Sequence, residues 1–326
     1  MWIVWASLLI LVVVAAALAL RRRAAPVQLA AAPERVASAL AALGPPPQRS
    51  GRAYQPQSPE HLLYADRDIA GWNNIVMAFE VELGLAYDWK RTVMLPKPQL
   101  WAHINQDRHI FDYFDEGTFH SVVPAIEYDP VVPLHQITVA PTAPPSAPKV
   151  QIVYRLFGNV EKRHRPWLDR ALRFRTDILE QARRLLASHQ LGDDPYVALH
   201  VRRGAPNDFK HQFSKEGNIA NETIVKHIQD SVRGQSVLVL SDDYDTDLLS
   251  RLKTVASRVV CWSGTHRSAD GVSDMLCAVP AQEFFGTPLS TFSSGIVKMR
   301  QRAGTHTEVR YTHQYNEKDI PDWGRT

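Results

Sequence analysis

Residues 196–204, Tyr-Val-Ala-Leu-His-Val-Arg-Arg-Gly, carry an apolar, β-branched run into a histidine, two adjacent arginines and a glycine. Val197, Leu199 and Val201 alternate with their neighbours, which is the period of a short strand. A strand that passes through His200 and delivers Arg202, Arg203 and Gly204 into a loop sets a cationic fork at its carboxyl end. Open α/β sheets bind their ligands at that end. Guanidinium groups suit a diphosphate, because each offers two parallel donors and keeps its charge at any accessible pH. The same residues taken alone also describe a surface strand end with two solvated arginines, which would contribute little.

Other segments supply what such a clamp lacks. Residues 236–240, Ser-Val-Leu-Val-Leu, read as a buried strand ending in Ser241, Asp242 and Asp243. Residues 287–294, Thr-Pro-Leu-Ser-Thr-Phe-Ser-Ser, form a hydroxyl-rich loop that opens a helix over 295–302. An acid after one strand, the Ser290, Thr291 and Phe292 loop at a helix start, and the arginine fork together suit a base, a ribose and a diphosphate. Upstream, Gly71-Trp-Asn-Asn74 opens a helix with Ile75, Met77, Ala78, Val81 and Leu85 roughly on one side. Gly71, Asn73 and Asn74 make an ordinary capped helix start. Its outward backbone N–H groups could equally take an anion or sugar hydroxyls.

The elements that must position these residues follow an α/β rhythm. Residues 92–96 read as a strand stopped by Pro96, and 167–189 as one long amphipathic segment. Helices are expected over 221–232, 246–252 and 275–285, with a further strand over 257–261. That order is the signature of a doubly wound sheet. The chain has 326 residues, 45% of them hydrophobic, enough for one large or two medium domains with full cores. A net charge of +3 and no long basic run beyond Arg21–Arg23 argue against a nucleic-acid partner. The two cysteines, Cys261 and Cys277, exclude a disulfide framework and a cysteine-based zinc site. Both are expected as buried thiols, ahead of a single disulfide between them.

Residues 2–20 are apolar except for Ser7 and are followed at once by three arginines. That length spans a bilayer, and Trp2 and Trp5 suit its interface. Arginines on the carboxyl side favour a cytosolic domain by the positive-inside rule, whereas a cleaved signal peptide would lack its usual basic start. Residues 1–23 are therefore a signal anchor or signal peptide with open topology. Residues 24–58 read as an Ala- and Pro-rich stalk, with a short helix over 36–43 ended by Pro45–Pro47. The Pro-rich stretch 141–148 reads as an irregular connection or surface loop.

Gly71-Trp-Asn-Asn74, His200-Val-Arg-Arg-Gly204, Leu240-Ser-Asp-Asp243 and Pro288-Leu-Ser-Thr-Phe-Ser-Ser294 occur in an order that resembles the GDP-fucose protein O-fucosyltransferase family, over residues 60–304. The resemblance implies an α/β, GT-B-like fold in which two Rossmann-like domains face a cleft, behind an N-terminal membrane segment. Residues 59–190 would form the acceptor-side domain and 191–326 the nucleotide-sugar-binding domain. It also implies a glycosyltransferase: inverting, metal-independent transfer of fucose from GDP-fucose to a protein or glycan hydroxyl, with no cofactor. The expected setting is the lumen of the Golgi or endoplasmic reticulum, where Asn221-Glu-Thr223 would be the one glycosylation sequon.

By the same resemblance Arg202 matches the catalytic arginine on the β-phosphate and the departing oxygen. His200, Arg203 and Gly204 match nucleotide contacts, and Asp242 or Asp243 matches the acid that reads guanine. Ser290, Thr291 and Phe292 match phosphate and base contacts; Gly71, Asn73 and Asn74 match the sugar side. The chain departs from the pattern in two places. Ala205-Pro-Asn207 precedes Asp208-Phe209, and Ala70 stands where one branch has a glutamate base, so no general base is identified although Asp68 is close by. Rival readings are a GT-A enzyme with a metal at Asp243-Tyr-Asp245 or Asp245-Thr-Asp247, which an acidic helix start explains as well, a non-catalytic nucleotide-sugar-binding relative, and a transferase with another donor.

Overall fold

A computed structural model describes residues 32–46, 51–65, 71–101, 106–138, 144–153, 160–203, 219–241, 245–261, 271–288, 290–305 and 310–312. Two five-stranded sheets carry the chain, and every pairing within them is parallel. The first sheet has the order β5-β2-β1-β7-β6, with β1 (Leu62–Ala65), β2 (Thr92–Met94), β5 (Ala125–Ile126), β6 (His135–Ile137) and β7 (Lys149–Ile152). Strands β3 (Gln99–Trp101) and β4 (Gln106–Arg108) form a separate antiparallel pair. The second sheet has the order β10-β9-β8-β11-β12. It comprises β8 (Tyr196–Val201), β9 (Ser236–Ser241), β10 (Arg258–Cys261), β11 (Glu283–Gly286) and β12 (Arg310–Tyr311).

Strand β8 is buried at all six positions and β9 at five of six, as expected of strands covered on both faces. Helices precede and connect the strands. In the first half these are α1 (Ala32–Ala41), α2 (Trp72–Trp89), α3 (Glu116–Val122), α4 (Arg165–Ala171) and α5 (Thr176–Ser188). In the second they are α6 (Asn221–Val232), α7 (Thr246–Leu252), α8 (Val272–Ala278) and α9 (Thr291–Ala303). The strands divide near the expected border at residue 190, yet α5 packs on α8 and α9 packs on α2. One apolar core runs through both halves.

Four expectations need correction. The stalk reading of 24–58 fails for its described residues: α1 buries Val36, Ala39 and Leu40, with Leu43 just beyond, and Tyr54 is buried with its hydroxyl donating to the Arg91 carbonyl at 2.7 Å. The apolar face of α1 was hard to see because alanines around it supply no polar contrast. The segment 167–189 is two helices. Pro166 starts α4, and the chain breaks so that Phe174 can bridge to Phe114 and Arg175 N–H can reach the Tyr113 carbonyl. The helix expected over 275–285 stops at Ala278, and Phe284 and Phe285 enter β11, where they pair with β8. Cys277 is buried but Cys261 only partly so, and both are free thiols.

The central strands β1 and β7 had no sequence expectation, and a buried arginine aligns them. Arg91 donates to the carbonyls of Leu62 (3.3 Å), Pro145 (2.7 Å), Ala147 (2.8 Å) and Pro148 (2.6 Å). Proline leaves carbonyls without matching N–H partners, so the stretch before β7 needs an outside donor. Burial lowers the pKa of Arg91. No helix among the described residues is long and apolar enough to cross a membrane, and residues 1–23 lie outside them. Replacing Arg91 by methionine should destabilise the protein by about 3 kcal/mol, since carbonyls in this pocket lose charged donors. Urea unfolding midpoints read this directly; a shift equivalent to under about 1 kcal/mol would show that water replaces the guanidinium.

Candidate functional site

In the second sheet the chain runs outward from β8 to β9 and β10, then returns to the other side of β8 for β11 and β12. The strand order therefore reverses between β8 and β11. A crevice opens at such a switch point, beyond the carboxyl ends of the two strands. His200 lies one residue before the end of β8, and Arg202 one residue after it. Thr287 follows β11 directly. Its hydroxyl donates to the His200 carbonyl at 2.9 Å and accepts from the Arg202 N–H at 2.9 Å, tying the two strand ends together.

The amino terminus of α9 closes this crevice. Ser293 in its first turn shares a 2.8 Å hydrogen bond with Nδ1 of the buried His200, and the Phe292 ring lies 4.6 Å from the imidazole. Ser290 sits at the N-cap position, buried, with no partner for its hydroxyl among the described residues. A helix start with unfilled N–H groups and an uncommitted hydroxyl is suited to an anion. Thr291, Phe292 and Ser293 were expected in a loop but form the first helical turn. Gly286 permits the approach: a Cβ there would stand 2.8 Å from Ser293 Cβ.

The helix start at Gly71 reaches α9 from the first sheet, on its Gly295 face. Gly71 is the N-cap of α2, and Asn73 donates to Met275 Sδ at 3.4 Å. A Cβ on Gly295 of α9 would stand 2.3 Å from Asn73 Oδ1, so only glycine allows this contact. Asn74 Oδ1 is buried without a partner. The structure thus gathers His200, Arg202, Ser290, Thr291 and Phe292 at the end of β8 and the start of α9, while Asn73, from the other half, meets the Gly295 face of α9. Gly204, Asp242, Asp243, Asp68, Ala70 and residues 205–209 lie outside the described residues. Thr287, Ser293, Gly286 and Gly295 complete the site. Thr287 and Ser293 are signalled in the sequence only by the Ser/Thr density of 287–294, because their partner His200 is far away in the chain.

Arg203 turns away from this group. Its guanidinium donates to the Ile219 carbonyl (2.8 Å) and to Asn221 Oδ1, and lies 3.6 Å from Asp245. Asn221 Nδ2 in turn donates to Asp245 (2.6 Å) and Asp247 (2.9 Å). Asp245 is the N-cap of α7 and accepts from the backbone of Asp247 and Leu248, while Asp247 pairs with Arg251 at 2.8 Å. Hydrogen bonding from Asn221 lowers the pKa of Asp245, and that from Arg251 lowers the pKa of Asp247. These two acids, a rival metal motif in the sequence, serve as a cap and an ion pair.

No protein-family model and no curated protein matches the sequence. Solved structures do. POFUT1 in complex with GDP aligns at 15% identity and a TM-score of 0.56, over 78% of this chain and 99% of that one. POFUT1 in complex with GDP-fucose gives 15% and 0.56, over 78% and 98%. Fucosyltransferase NodZ from Bradyrhizobium gives 14% and 0.53, over 74% and 91%. The chain has the fold of these fucosyltransferases, which is the α/β architecture that the resemblance implied.

Asn221 offers the acceptor nitrogen of the sequon, yet both of its amide hydrogens are directed at carboxylates within this network. A glycan there would break the contacts that hold Arg203 and α7. Intact-mass analysis of the folded protein from a secretory host should show Asn221 unmodified. A folded, fully glycosylated species would show that the network is dispensable.

Proposed function

We propose that the protein is a glycosyltransferase that binds a GDP-sugar at the switch point and transfers fucose from GDP-fucose to a protein or glycan hydroxyl. The observation that carries this reading is the Arg202 backbone held by Thr287 at the end of β8, beside the Ser290 hydroxyl and the start of α9. Support comes from the shared fold with POFUT1 bound to GDP-fucose and with NodZ soaked with GDP-fucose, the latter at a TM-score of 0.53.

In the proposed reaction the acceptor oxygen attacks the anomeric carbon from the face opposite the diphosphate, inverting it. The bond from that carbon to the β-phosphate oxygen breaks, and the electron pair leaves with GDP. Arg202 and the α9 start stabilise the charge that gathers on the diphosphate, which needs no metal ion in this reading. His200, fixed by Ser293 and Phe292, shapes the nucleotide pocket. One of Asp242 and Asp243, directly after β9, reads the guanine ring. Asn73 and Asn74 face the sugar from the other half. The acceptor proton goes to a base that this sequence does not identify. Residues 2–20 would hold the domain at a membrane of the secretory pathway, facing its lumen. A non-catalytic nucleotide-sugar binder is the second reading, favoured by Ala70 in the place of a glutamate.

Calorimetric titration with GDP should show one saturable site, and no heat at high nucleotide concentration would overturn the proposal. Arg202→Lys should weaken binding by roughly 1–3 kcal/mol, because the charge stays and the two-pronged geometry goes. Arg202→Ala should lower fucose transfer by about 10²–10³. Arg203→Ala should chiefly lower stability, since its guanidinium is committed to α6 and α7. Turnover with the reverse ranking of the two arginines would reject the assignment, and GDP binding without turnover on any acceptor would favour the second reading.

A further inference from the structure

A second cavity lies on the opposite side of α9 from His200. Successive residues of a helix advance by about 100°. Thr291, Gly295, Lys298, Met299 and Arg302 therefore fall on the face turned away from Ser293, and all five line a cavity of about 60 Å³ between α9, α2 and α4. Its remaining wall is largely apolar, with Trp72 stacked on Phe174 at 6.0 Å.

The polar groups in this cavity are unbalanced. Arg165, Lys298 and Arg302 face two carboxylates, Glu80 and Asp169. Glu80 is occupied by a two-pronged contact with Arg165 at 2.6 and 3.1 Å, and it lies 3.7 Å from Lys298. Asp169 lies 3.9 Å from Arg165. Among the described residues, Trp72 Nε1, Arg302 Nε and Arg302 Nη2 line the cavity buried without a hydrogen-bond partner, Lys298 Nζ has only the longer ion pair with Glu80, and every one of these atoms is a donor. Buried donors left unmatched are costly, above all on a guanidinium. Burial holds Arg302 at about 10, so it keeps its charge at neutral pH; burial also raises the pKa of Asp169 and lowers that of Lys298. The pocket thus lacks acceptors and has an excess of positive charge.

We propose that this cavity binds one small oxyanion, a phosphate, sulfate or carboxylate group, held by the Arg302 fork, the Lys298 ammonium and the Trp72 indole N–H. The volume suits such a group rather than a nucleotide, since one ordered water needs only about 10–15 Å³ on the same measure. A bound anion joins α2 of the first half to α9 of the second. The cavity lies on the face of α9 turned away from His200, shares Thr291, Gly295 and Asn73 with the residues grouped around α9, and stands whether or not the strand-end crevice binds GDP.

The test uses the full chain in detergent, titrated with sodium phosphate, sulfate and acetate at constant ionic strength, with chloride as control. Heat and the thermal midpoint are both read. At least one of the three anions should bind saturably at one site and raise the midpoint, and their ranking names the source. Arg302→Gln should weaken that binding at least tenfold, and Trp72→Phe, which keeps the ring and removes the N–H, about fivefold. Arg202→Ala should leave it unchanged. Should Arg302→Gln fail to fold, Trp72→Phe and Lys298→Met carry the test. No saturable heat from any anion would overturn the proposal, as would equal affinity in the cavity variants. Loss of binding in Arg202→Ala would assign the heat to the strand-end crevice and equally overturn it.

Discussion

The buried guanidinium of Arg300 ties helix α9 to the segment that joins α8 to β11. It donates to the carbonyls of Ala278 (3.1 Å), Val279 (2.8 Å), Ala281 (2.7 Å) and Gln282 (3.3 Å), which leave the end of α8 and lead into β11. A helix ends with carbonyls that have no partner of their own, and these are buried. With Arg300 in place α9 is fixed against α8 and β11, its start lies at the mouth of β8, and its far face meets α2. Burial depresses Arg300 to about 10, which still leaves it charged at neutral pH. Arg91 does the same in the first sheet, so each half spreads one buried cation over several carbonyls rather than pairing it with a carboxylate. That arrangement avoids desolvating a second charge.

With α9 fixed, two close approaches set the site geometry. Gly286 brings the end of β11 against Ser293, and Gly295 brings Asn73 against α9. Side chains at either position would push apart groups whose separation the crevice depends on. Neither glycine sits at positive φ, so both are required by proximity rather than by backbone conformation.

Strands β8 and β9 and helices α6 and α7 were legible to within a residue, because buried parallel strands read as unbroken β-branched runs and the helices have one clear apolar face. His200, Arg202, Ser290, Thr291 and Phe292 were legible for a related reason: a strand end and a helix start are local features, and ligands collect at both. Strands β1 and β7 were not. They are four residues each, and β7 follows prolines whose carbonyls are satisfied by Arg91, more than fifty positions away. The short helix over 36–43 is legible, but alanine masks the buried face of α1, and the β11 phenylalanines continue the apolar pattern of the preceding helix. Thr287, Ser293 and Gly295 act only through partners distant in sequence, which no spacing rule exposes.

The adjacent arginines show how a strand end separates chemistry from support. The strand stops at Val201, so pleat alternation alone does not dictate where Arg202 and Arg203 point. What decides it is the set of partners. Arg203 is drawn to Asn221, the Ile219 carbonyl and Asp245 on the α6–α7 side, and the Arg202 N–H is held by Thr287 on the β11 side. The chain between them is pulled from both directions, which fixes the first residues beyond β8. A metal at Asp245 and Asp247 would have to displace Asn221, the α7 cap and Arg251 together, and the cap alone is worth about 1 kcal/mol. The acids that resemble a metal motif are thus part of the device that holds Arg203, and through it the loop that carries Arg202.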